Sequence, residues 1–89
     1  MNKQTNKQTV FEYLIEQENQ DRDFRFDRTN GTGLVVSYIG YKNMNLVQIT
    51  ETLQLHYKLS FDFDRGIEEY DRFCGRTFVY FKNVYDEEQ

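Results

Sequence analysis

The sequence has a single cysteine and no proline, tryptophan or alanine. One thiol, Cys74, excludes an internal disulfide and an all-cysteine metal site, and it suits a reducing compartment. Long apolar runs are also missing. The longest is Phe78, Val79, Tyr80 and Phe81, far short of the roughly 20 residues a membrane-spanning helix needs. The opening residues are polar and hold no apolar h-region, so no secretory signal and a cytoplasmic location are expected, that of the host cell if a phage encodes the chain. Apolar content is 38% and mean hydropathy is −0.83, values that lean towards disorder. Seven Tyr and eight Phe argue the other way, because each ring buries a large area. At 89 residues there is room for one small domain and no second core.

Residues 2–9 are a tandem duplication, Asn2-Lys3-Gln4-Thr5 and Asn6-Lys7-Gln8-Thr9, and residues 1–8 read as a flexible tail. Thr9 and Glu12 then form a capping box, followed by Val10, Phe11, Leu14 and Ile15 at helical spacing. This predicts an amphipathic helix from Thr9 to about Asn19, too short to stand without a sheet to pack on. From Asp21 the period shifts to two, with Phe24 and Phe26 opposite Arg25 and Asp27. The turn signal Asn30-Gly31 and the β-branched stretch Leu34 to Ile39 complete a hairpin over 23–39. Apolar residues next hold every odd position from 47 to 63 except Glu51, while the even positions are polar. That alternation predicts a long strand over 53–64 and leaves 46–52 open, since Leu46, Ile49, Leu53 and Tyr57 also suit a helix. Residues 65–76 read as a polar connection, with Ile67, Tyr70 and Phe73 on one helical-turn face. Thr77 to Tyr85, apolar on both faces, reads as a central strand or one sandwiched between the sheet and a helix. The expected fold is α+β, an N-terminal amphipathic helix packed on an antiparallel sheet of about four strands, with the domain spanning 9–85 and an acidic tail at 86–89.

The net charge of −4 conceals a pattern: residues 1–9 carry +2, 10–27 carry −4, 28–60 carry +2 and 61–89 carry −4. Acid is densest at Asp62, Asp64, Glu68, Glu69 and Asp71, with Tyr70 and Phe73 interleaved. On a strand, Asp62 and Asp64 would share one solvent face about 6.7 Å apart. Charge runs are commonly solvated faces. The sharper reading is a binding surface whose carboxylates stand in for phosphates in the Lys/Arg groove of a nucleic-acid-binding protein.

Catalytic chemistry finds little support. Asp62-x-Asp64 starts like a calcium loop, but Gly66 falls one place early and no closing Glu follows. His56 has no second His or Cys at ligand spacing. Cys74, between Phe73 and Gly75, reads as a small buried hydrophobe rather than a nucleophile paired with His56. Neither a cofactor nor a metal is expected.

Asn30-Gly31 with Tyr38-Ile39-Gly40 resembles the hairpin of GIY-YIG nucleases, yet Phe24-Arg25-Phe26 replaces the first half of that motif and the helical Arg is missing, so the nuclease reading is set aside. Gly75-Arg76-Thr77-Phe78-Val79-Tyr80-Phe81 is similar to the RNA-stacking strand of the RNA-recognition motif at Gly75, Phe78, Val79 and Phe81. It implies a single-stranded nucleic-acid-binding module as an alternative, although an acidic chain would bind nucleic acid against its own field. In general character, though by no motif, the chain looks like the small acidic inhibitors of phages and mobile elements, the anti-CRISPR and anti-restriction proteins. The expectation is therefore a non-enzymatic DNA mimic that blocks the groove of a basic host protein such as a CRISPR effector nuclease. Asp62, Asp64, Glu68, Glu69 and Asp71 would serve as phosphate mimics and Tyr70 as the anchor. Charge reversal at Asp62, Asp64 and Glu69 is expected to weaken binding with little effect on stability. Neither a membrane nor nucleic acid is an expected direct partner, and a self-associating homodimer is the third reading.

Overall fold

A computed structural model describes residues 6–29, 33–82 and 84, with backbone only for residues 6–9. The Asn30-Gly31 turn, the first five residues and the acidic tail at 86–89 lie outside the described residues. The elements are α1 (Asn6–Gln20), β1 (Phe24–Arg28), β2 (Leu34–Ile39), α2 (Met44–Leu55), β3 (Ser60–Phe61), β4 (Glu68–Asp71) and β5 (Arg76–Lys82). The fold is α+β, two helices with one antiparallel sheet of five strands.

Strand order is β1-β2-β5-β3, and β4 also pairs with β5. β3 and β4 lie end to end on the same side of β5. The Asp62 N–H donates to the Tyr80 carbonyl (2.8 Å), and the Tyr80 N–H donates to the Ile67 carbonyl (2.8 Å). Residues 62–67 thus leave and rejoin the ladder at a single residue of β5, so five strands fill four positions. β5 is central, paired along one side to β2 and along the other to β3 and β4.

Strand parity places the core. Phe24 stands opposite Tyr38, Val36 opposite Val79 and Leu34 opposite Phe81. These side chains share one face and pack under both helices, joined by Val10 and Leu14 of α1, by Leu46, Ile49 and Leu53 of α2, and by Val84. Each such aliphatic or aromatic side chain contributes about 1.5–3 kcal/mol when fully buried. The predicted hairpin over 23–39 matches β1 and β2. The N-terminal helix packs on the sheet as expected, but it begins at Asn6, so Thr9 lies within it rather than at its cap.

The alternation over 53–64 misleads. Residues 44–55 are helical, and only Ser60 and Phe61 of the expected strand are extended. The Asn43 side chain accepts the Asn45 N–H (2.8 Å) and starts the helix. Leu46, Ile49 and Leu53, spaced three and four apart, are its buried residues, while Leu55 is 73% exposed. Lys58, at φ 63°, then turns the chain so that the Leu59 N–H reaches the Leu53 carbonyl (3.0 Å). The alternating pattern spans two elements and one reversal. The supposed connection over 65–76 is likewise mostly a hairpin, in which β4 and β5 are joined through residues 72–75 with Gly75 at φ 67°.

Candidate protein-binding surface

β4 forms part of one outer edge of the sheet. Glu68 pairs with Val79 and Tyr70 with Thr77, which puts Glu68 and Tyr70 on the helix side. Glu69 and Asp71, opposite Phe78 and Arg76, point to the other side. Asp62 and Asp64 do not share a strand face: they sit in the 62–67 loop just before β4. All six sequence-predicted residues (Asp62, Asp64, Glu68, Glu69, Tyr70 and Asp71) therefore lie along one sheet edge, with carboxylates directed to both faces.

Three of the five carboxylates are engaged in structure. Asp62 Oδ1 accepts the N–H groups of Asp64 (3.2 Å) and Arg65 (3.3 Å), closing the loop. Asp71 Oδ1 accepts the Phe73 N–H (2.8 Å) and shapes the hairpin turn. Glu69 Oε1 accepts the Tyr80 hydroxyl (3.1 Å). Burial, then that bond to Glu69, pushes the Tyr80 hydroxyl pKa up. These bonds give Asp62 and Glu69 structural roles, which argues against the expectation that reversing them has little effect on stability. Asp64 and Glu68 are exposed, and their carboxylates have no hydrogen-bond partner among the described residues.

Exposed aromatic area sits beside this acid. Tyr70 is 38% exposed and meets Tyr41 edge-on, ring centroids 5.2 Å apart. Tyr41 (65%), Met44 (67%) and Val47 (37%) extend the apolar area from Tyr70 onto the start of α2. Phe73, at the hairpin tip, is 102% exposed. Sequence reasoning missed Tyr41, Met44 and Val47 as part of this surface. Their only signal was apolar character next to the Gly40 break, and nothing local says that α2 brings them to β4.

Cys74 is exposed in the same turn, correcting the expectation of burial, and His56 is exposed at the end of α2. Among the described residues no group of three or more His, Cys, Asp or Glu is placed to hold a metal ion. No helix among them is long and apolar enough to cross a membrane.

The helix-free sheet face is where bases would stack on β5, and most of its groups are already occupied. The Arg65 guanidinium covers the Tyr80 ring at 4.5 Å. Arg76 donates to Ser37 Oγ (3.1 Å) and to the Asp23 carbonyl (2.8 Å). Phe78 is the remaining ring there, half-buried. No protein-family model, curated protein or solved structure matches the chain.

Proposed function

We propose that this is a non-enzymatic binding protein whose acidic sheet edge occupies the nucleic-acid groove of a basic partner, such as a CRISPR effector nuclease, and so inhibits it. The observation that carries the reading is the co-location of five carboxylates with the exposed rings of Tyr70 and Phe73 on one edge. The carboxylates would steer the encounter with a Lys/Arg groove, and the rings would supply the desolvated anchors that hold it. Asp64 and Glu68 are free to face a partner, whereas Asp62, Glu69 and Asp71 add charge while holding the loop, β5 and the turn in place.

The test uses labelled duplex DNA bound to a purified CRISPR effector nuclease, with displacement followed by fluorescence anisotropy. The chain should displace the duplex at low salt and lose potency as salt rises. Asp64→Lys with Glu68→Lys should weaken displacement at least tenfold with the melting temperature unchanged. Displacement that survives both the double reversal and high salt defeats the reading, as does no displacement from such nucleases at any ratio.

A further inference from the structure

The two edges of the sheet are finished differently. On β1, every outward N–H has a partner: Phe24 donates to the Asp21 carbonyl (3.0 Å), Phe26 to Glu18 Oε2 of α1 (3.1 Å) and Arg28 to Asp27 Oδ1 (2.8 Å). Such plugging is how sheets avoid adding strands. β4 lacks it. Because the Ile67 carbonyl receives Tyr80, the alternation of an antiparallel ladder directs the backbone of Glu69 and Asp71 to β5 and that of Glu68 and Tyr70 outward. The outward Glu68 N–H folds back to the Gly66 carbonyl (2.6 Å). The Tyr70 N–H and the carbonyls of Glu68 and Tyr70 have no partner among the described residues.

The geometry points to strand addition at β4, in which an extended basic segment of the partner pairs with the Tyr70 backbone and sets Lys or Arg side chains against Glu68, Glu69 and Asp71. This deepens the reading of the same surface as a docking site for a basic partner and rests on it. Main-chain bonds would supply affinity and the flanking acids would select the sequence. Charge chooses the occupant. Residues 62–72 hold five carboxylates against two guanidinium groups, a net −3, so a second copy would bring like charge onto like charge. A basic strand meets complementary charge on both of its faces. Tyr41 and Tyr70 on one side, with Phe73 at the end, give that strand apolar surface to cover.

The probe is a ten-residue peptide of paired lysines and paired valines, which sets lysine on both faces of an extended strand, titrated into the full chain at low salt. Tyr70→Pro removes the outward donor without removing a bond to β5, and Tyr70→Val removes the ring but keeps the donor. Strand addition requires Tyr70→Pro to bind at least tenfold more weakly than Tyr70→Val. In the unsubstituted chain, the Tyr70 amide should exchange quickly alone and be protected by the peptide, a readout independent of how either variant folds. Equal binding of the two variants, or a Tyr70 amide that stays unprotected in the complex, overturns strand addition. Glu68→Lys then judges the parent reading: a salt-sensitive loss of peptide binding leaves the acidic docking surface standing, and no loss removes both. A concentration-dependent dimer that Tyr70→Pro abolishes would make a second copy the occupant and also overturn the proposal.

Discussion

Leu53 has no exposed surface and ties α2 to the sheet core. Leu53→Ala should cost about 2–5 kcal/mol through lost burial and the cavity left behind, read from urea denaturation. Tyr38 is a different kind of buried residue. Its hydroxyl donates to Asp21 Oδ2 and accepts the Asn45 side-chain amide (2.9 Å), linking the end of α1, β2 and the start of α2. The bond to Asp21, then burial, raises its pKa. The folded chain therefore keeps a proton that the unfolded chain releases near pH 10, so this stabilisation is complete below about pH 10 and is lost as pH rises through the folded value. Tyr38→Phe should be about 2 kcal/mol less stable at pH 7, because a charged acceptor loses its donor. It should also lose less stability than the parent between pH 10 and 11, measured by denaturation at each pH. Among the acids, Asp62→Ala should lower stability by about 1 kcal/mol by leaving the Asp64 N–H without its acceptor and the Arg65 N–H with the Asp62 carbonyl alone, whereas Asp64→Ala should leave the melting temperature unchanged.

At the scale of elements, the edges and α2 carry the lessons. Glu18→Ala unplugs β1 by leaving the Phe26 N–H unpaired. The expected result is a loss of about 1 kcal/mol together with self-association at high concentration that the parent does not show, read by sedimentation. The amphipathic stripe of α1 and the hairpin pattern of β1 and β2 were legible because each repeats one period within one element. The stretch from 46 to 63 was not. Leu46, Ile49 and Leu53 keep helical spacing, while Leu55, Leu59, Phe61 and Phe63 happen to extend an alternation across the helix end, a turn and the first residues of the edge. The Asn43 cap is a local helix signal that the sequence reading did not use.

At the scale of the whole molecule, both helices share one sheet face and one core. Unfolding should therefore be a single transition, with near- and far-ultraviolet circular dichroism coinciding in the parent and in Leu53→Ala. Split transitions would mean that α1 or α2 melts independently. The concentration of acid along 62–71 was readable from the chain itself, because charge density is a one-dimensional property. Which acids are free was not: Asp62, Glu69 and Asp71 are spoken for by backbone and hydroxyl donors that arrive only when the loop, the turn and β5 assemble.

By itself, the sequence determined the α+β class, the packing of the N-terminal helix on the sheet, the two-faced apolar character of the last strand and the acidic stretch, since these follow from period, apolar content and charge. Tertiary structure decided that 44–55 is a helix, that β3 and β4 share an edge broken at Tyr80, that Tyr41 meets Tyr70, and that Phe73 and Cys74 face water. The physical reason is that helix and strand compete on local energies of similar size, and burial against distant residues settles the contest. Exposure and the pairing of outward N–H groups belong to no residue alone. They exist only once the chain has closed its sheet.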